Sequence, residues 1–192
     1  MAITKVTGAM LGNYTGGSAD DTVVVGDGAG VAITTGVDNT ILGDSAGAAL
    51  TEGSSNTLIG HLAGDAITTV SFITAVGEKA LSANTSGQKN TAIGRAALQS
   101  ITSQDNNTAV GYNTLSGGSN TGGNNTAIGS DALSGNTTGD NNVALGYNAL
   151  ALNTTASSNV AIGRGALDAT TTGGFNVAVG DMSLSANTTG DY

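Results

Sequence analysis

One glycine in a fixed context recurs along the chain at positions 26, 43, 60, 77, 94, 111, 129, 146, 163 and 180. Eight of the nine intervals are seventeen residues long and one is eighteen. Around it stand Asn39-Thr-Ile-Leu-Gly43, Asn56-Thr-Leu-Ile-Gly60, Asn90-Thr-Ala-Ile-Gly94 and Asn176-Val-Ala-Val-Gly180, with Ile73 and Thr22 in the Asn place of two other copies. Ten copies at one period define a quasi-one-dimensional repeat protein, in which each unit packs on its neighbours because none can bury its own apolar face. Seventeen residues are too few for a strand-helix-strand unit. Each copy instead offers a short run rich in Val, Ile and Thr between turn signals, which is a strand. The spacing therefore predicts an all-β chain, a parallel β-solenoid of about ten rungs, each a coil of two or three short strands and tight turns, stacked about 4.8 Å apart into a rod on the order of 48 Å long. Residues 22–192 form the solenoid repeat in this reading, and residues 1–21 an N-terminal cap or attachment segment.

Composition explains why a regular stack is needed. With 31 Gly, no Pro, Cys or Trp, and 3% aromatic residues in 192, an ordinary globule would bury too little apolar area to offset its conformational entropy. The net charge of −9, with Lys5, Lys79, Lys89, Arg95 and Arg164 as its cations, leaves no basic stripe for nucleic acid or anionic lipid. No apolar run reaches the roughly 18 residues of a spanning helix, and Met1–Thr7 lacks the apolar core of a secretion signal. The lack of Cys excludes disulfides and thiolate metal sites, and no cofactor is expected.

The repeat sorts into columns. The residue before the Gly (Val25, Leu42, Ile59, Val76, Ile93, Val110, Ile128, Leu145, Ile162, Val179) is always aliphatic and is expected to face the core. A second column four residues after the Gly (Gly30, Gly47, Gly64, then Leu81, Leu98, Leu115, Leu133, Leu150, Leu167 and Leu184) is expected to supply the opposite wall. By the strand period of two, the column two before the Gly should then point outward. It holds Val24, Ile41, Leu58, Ala75, Ala92, Ala109, Ala127, Ala144, Ala161 and Ala178, and an outward stripe of that kind predicts a self-association face. Asn39, Asn56, Asn90, Asn107, Asn125, Asn142, Asn159 and Asn176 read as an amide ladder in which each side chain bonds its equivalent one rung away and caps a turn. A Thr column eight residues after the Gly (Thr34, Thr51, Thr68, Thr85, Thr102, Thr137, Thr154, Thr171, Thr188) is as regular, broken at Ser119.

Candidates for chemistry are few. The column just after the Gly reads Asp27, Asp44, His61, Glu78, Arg95, Tyr112, Ser130, Tyr147, Arg164 and Asp181, variable and polar enough to be solvent-facing. Asp27 and Asp44 on adjacent rungs would stand about 5 Å apart, near the separation used by retaining glycosidases. The chain offers few aromatic walls for a sugar-cleaving groove, so a solvated ladder is the better reading. His61 is the only histidine, so a catalytic triad or histidine metal cluster would have to rest on it alone. Gly26-Asp-Gly-Ala-Gly30 lacks the Lys and the following helix of a phosphate loop. The sequons at Asn84 and Asn153 follow from turn composition. No catalytic, metal or cofactor site is expected.

The segment Asn125-Thr-Ala-Ile-Gly-Ser-Asp-Ala-Leu133, with Asn136-Thr-Thr-Gly-Asp-Asn-Asn142 after it, resembles the repeats of bacteriophage tail fibres, particularly marine and cyanobacterial ones. It is also similar to the head of trimeric autotransporter adhesins, which share the Val-Ala-Ile-Gly core. The opening Met1-Ala-Ile-Thr-Lys-Val-Thr-Gly-Ala-Met-Leu11 resembles the starts of phage fibre segments. The resemblance implies a left-handed parallel β-roll in a homotrimer, used as a structural or adhesive rod on a virion or cell surface, with a host glycan or protein as partner and no enzymatic activity. The sequence departs from it in having neither a coiled-coil stalk nor a recognisable trimerisation domain. The alternative function is a bacterial extracellular fibril or adhesin grown by head-to-tail stacking, since the last rung stops at a rung boundary without a polar cap. A third reading, an ice-binding solenoid, is disfavoured because the paired threonines sit at turns.

Overall fold

The structure, a computed structural model, describes residues 22–118 and 120–191. The N-terminal segment 1–21, Ser119 and Tyr192 lie outside the described residues. Ten three-residue strands run from β1 (Val23–Val25) and β2 (Thr40–Leu42) through β5 (Thr91–Ile93) and β7 (Thr126–Ile128) to β10 (Val177–Val179). They form one parallel sheet whose spatial order is the chain order, and register is kept throughout, as in Thr91 beside Thr108, Ala92 beside Ala109 and Ile93 beside Val110. Among the described residues there is no helix. The β-solenoid expected from the period is present, about 43 Å from first strand to last at about 4.8 Å per step.

Each strand is stopped by its glycine. At Gly94 the backbone has φ 130°, and a Cβ there would run into the carbonyl of Gly111 on the next rung. The close approach of successive backbones at this corner is what fixes the glycine column. A turn follows, closed in the second rung by the Ala46 amide donating to the Gly43 carbonyl at 3.3 Å, with Ser45 at φ 55° in the position that a type II turn places in the left-handed region.

The structure inverts the assignment of the two strand faces. Val24, Ile41, Leu58, Ala75, Ala92, Ala109, Ala127, Ala144, Ala161 and Ala178 are buried inside the rung and form part of the core. They are therefore not an outward interface. The aliphatic column before the glycine lies on the opposite, outer face of the sheet, with Leu42, Ile93, Ile128, Leu145 and Val179 exposed and Val25, Ile59, Val76, Val110 and Ile162 half-buried. The physical reason is volume. The column four residues after the glycine points into the same narrow interior, and the two columns share one space: a Cβ on Gly30 would lie 3.4 Å from Val24 Cγ1 and 3.2 Å from Ile41 Cδ1, and one on Gly64 would lie 2.9 Å from Leu58 Cδ2. Where the strand supplies Val24, Ile41 or Leu58, the opposite wall is Gly30, Gly47 or Gly64. From Ala75 onward the strand supplies Ala and the wall is Leu81 through Leu167, buried. Two packing solutions, large-on-strand and large-on-wall, thus succeed each other along one rod.

The second solution carries a conformational cost. Leu81, Leu98, Leu115, Leu133, Leu150 and Leu167 have φ between 50° and 56°, a region that costs an L-residue with a Cβ about 1–2 kcal/mol. Burying a leucine contributes about 1.5–3 kcal/mol, which offsets it. In the first three rungs glycine occupies the same left-handed position without that strain.

The one longer interval is absorbed on the surface. Leu115 precedes its counterpart Leu133 by eighteen positions. The Asn136 side-chain amide, however, donates to Asn120 Oδ1, sixteen positions back, and Gly122 faces Gly139, seventeen positions on. Two residues are therefore added between Leu115 and Asn120 and one is removed before Gly122. Gly118, within this bulge, has open space around it.

Candidate functional site

The buried Asn column holds the rungs together through the backbone. The Asn56 amide N–H donates to Asn39 Oδ1 at 3.0 Å, Asn142 to Asn125 at 2.9 Å and Asn176 to Asn159 at 2.9 Å. Each Nδ2 in turn donates to the carbonyl of the corner that leads into the next rung, as from Asn125 to Gly139 at 2.9 Å and from Asn90 to Gln104 at 2.7 Å. Direct amide-to-amide bonds between neighbours occur at Asn159 to Asn142 and Asn176 to Asn159. Ile73 interrupts the column, and its N–H is still taken by Asn56 Oδ1. These asparagines have no solvent access for a ligand: Asn90, Asn107, Asn125, Asn142 and Asn159 are fully buried. Asn125→Ala removes the acceptor of the Asn142 N–H, while the Gly139 carbonyl keeps its bond from Asn136 Nδ2, and at about 1–3 kcal/mol for the one buried group left unpaired the variant should lose about 1–3 kcal/mol in denaturant unfolding.

A second amide series lies in the turns. Asn84, Asn136 and Asn153, seven residues after their glycines, are buried and clamp the same corner from inside. Asn136 accepts from the Gly139 N–H at 3.1 Å and donates to its carbonyl at 3.0 Å, and Asn153 repeats this with Ala156. Ile33, Leu50, Ile67 and Ile101 fill the place in other rungs. Its signal is Asn-Thr followed by Ser or Thr and a small residue, as in Asn84-Thr-Ser-Gly87, Asn136-Thr-Thr-Gly139 and Asn153-Thr-Thr-Ala156. The Thr column lies outside, and the hydroxyls of Thr34, Thr51, Thr85, Thr137, Thr154 and Thr171 reach a carbonyl one rung on, as Thr137 Oγ1 donates to the Thr154 carbonyl at 2.7 Å.

The column after the glycine is a surface row of complementary side chains. His61 Nε2 lies 3.6 Å from Asp44 Oδ2. Arg95 Nε lies 3.2 Å from Glu78 Oε2, its guanidinium stands 5.7 Å from the centroid of the Tyr112 ring, and its Nη1 donates to the Tyr112 hydroxyl at 3.5 Å. Arg164 grips Asp181 with Nε and Nη2 at 2.8 and 2.9 Å, and this bonding raises its already high pKa. Half-exposed pairs of this kind contribute little each. The Asp44 carboxylate faces His61, not a second acid. Partial burial pushes the Asp65 carboxyl above its ordinary pKa. Among the described residues no group of three or more His, Cys, Asp and Glu side chains gathers as for a metal ion, and no helix is long and apolar enough to cross a membrane.

The outer face of the sheet is the most extensive candidate surface. On it Thr40, Thr57, Thr74, Thr91, Thr108 and Thr126, then Val143, Val160 and Val177, run beside the aliphatic column two residues on. Val177 and Val179 are 68% and 66% exposed. No family model matches the chain, and neither a curated protein nor a solved structure matches it.

Proposed function

We propose that the protein is a structural and adhesive rod that associates laterally with further copies of itself through the outer face of its sheet. The observation that carries this reading is the continuity of that face: two side-chain columns, one wholly aliphatic, run unbroken over ten rungs and remain uncovered within the chain. About 43 Å long and about 7 Å between columns, it spans roughly 300 Å² in projection, one column aliphatic and the other threonine and valine, a contiguous stripe of the size that is often functional on a monomer. Parallel copies in register would set Ile93 and Ile128 against their equivalents without changing a rung. The resemblance to phage fibres and adhesin heads favours three left-handed chains as the closed form and a virion or cell surface as the setting, with a surface glycan or protein as the target.

Sedimentation equilibrium tests the association. The wild-type chain should sediment as an oligomer, and Ile93→Glu/Ile128→Glu should sediment as a folded monomer, because like charges meet where copies pack. A wild-type chain that remains monomeric at high concentration would end this reading, and unlimited filaments in electron micrographs would favour the head-to-tail fibril over the closed bundle.

A further inference from the structure

We propose that Tyr112 and Tyr147 form a cleft that takes one pyranose ring of a glycan, an inference that deepens the adhesive part of the reading above and rests on it. The surface row from Arg95 upward runs Arg95, Tyr112, Ser130, Tyr147, Arg164, so two exposed aromatic rings flank the smallest side chain of the row and two arginines flank the rings. The whole chain has four tyrosines and two phenylalanines, and placing two of them two rungs apart in one column makes a gap.

The dimensions select the occupant. Two rungs separate the bases of the two tyrosines by about 9.6 Å. Carbon atoms in contact lie about 3.5–4.0 Å apart, so a flat aromatic guest between two rings needs about 7 Å, whereas a puckered pyranose with axial C–H bonds needs about 8–9 Å. The C–H faces of a sugar suit the negative faces of the tyrosine rings. Arg95 backs Tyr112 from the preceding rung at 5.7 Å from the ring centroid and is itself held by Glu78, which leaves the ring face toward Ser130 for a ligand. Polar groups line the next column: Asn113 Nδ2 and Ser130 Oγ each donate to the Asp131 carboxylate, both at 2.8 Å. The half-buried Asp131 is thereby fixed in place, with lone pairs left for sugar hydroxyls.

Saturation-transfer NMR on the full chain tests this with four probes: the methyl glycosides of β-glucose, β-galactose, α-mannose and β-N-acetylglucosamine. Saturation should reach the ring C–H protons of at least one glycoside. The signal should fall at least fivefold in Tyr112→Ala and in Tyr147→Ala, persist in the corresponding Phe variants, and vanish in Ser130→Tyr, which fills the gap with a residue the column already accepts. Phe72→Ala, remote from the cleft, should bind as wild type. No transfer to any glycoside, an equal signal in Ser130→Tyr, or a response to p-cresol in place of the sugars would overturn the proposal. Sedimentation of the same variants separates the two readings: glycoside binding by a monomeric wild-type chain would leave the cleft standing and remove the bundle.

Discussion

Ala127→Glu is expected to abolish the cooperative unfolding transition of the rod, while Ile128→Glu, one residue along the same strand, leaves the chain folded. Ala127 has no solvent exposure, whereas Ile128 is 38% exposed on the outer face. A glutamate at 127 places a charge without a partner among Ala109, Ala144 and the wall leucines, and such a charge costs upward of about 3–5 kcal/mol. Because every rung packs on both neighbours, the damage reaches the rungs on either side. At 128 the new carboxylate stands in water, and the effect on the folded chain should be within about 1 kcal/mol. Circular dichroism melts of the two variants decide the matter. Equal melting temperatures would mean that the strand faces are not partitioned as described.

The second large effect is a compensation. Ala75→Leu alone should overpack the fourth rung against Leu81 and cost about 1–3 kcal/mol. Leu81→Gly alone should empty it and cost about 2–5 kcal/mol, less about 1–2 kcal/mol of relieved left-handed strain. Together they reproduce the Leu58 and Gly64 arrangement of the rung before and merely move the change of packing one rung along. The double variant should unfold within about 1 kcal/mol of wild type, which requires a favourable coupling in the double-mutant cycle. Additive losses would show that positions 75 and 81 do not share one space.

Sequence periodicity alone located the ten strands, the parallel stack and the corner glycines, because a seventeen-residue step with one glycine per copy admits few folds, but it overcounted the strands of a rung, where one is present in place of two or three and the rest is turn. It could not say which face of a three-residue strand turns inward. Alternation separates Ala92 from Thr91 and Ile93, and the larger aliphatic residue looks like the core residue. It is not, because the interior of so small a rung is filled from the other wall by Leu98 and has room at the strand for only a methyl group. The signal that decides the question lies between columns: large residues at 24, 41 and 58 go with Gly30, Gly47 and Gly64, and alanines from 75 onward go with leucines. The left-handed conformation of those leucines had no local signature, since nothing in an Ala-Leu pair asks for a positive φ. The inward amides of Asn84, Asn136 and Asn153 were masked by ordinary turn residues around them. On the surface, Tyr112 and Tyr147 were legible as exposed, but their partnership across Ser130 needed the rung spacing.

The succession of the two packing types gives the array a one-way grammar. A wall residue meets the strand residue of its own rung and that of the rung after it, as Gly47 does with Ile41 and Leu58. A glycine-walled rung followed by an alanine-stranded one brings two small groups together, as at Gly64 and Ala75, and is allowed. The reverse order would set leucine against leucine or isoleucine. Copies can therefore be inserted or deleted inside either block, each changing the length by about 4.8 Å, but the blocks cannot be shuffled. Length is free to vary in quanta, and sequence order is not.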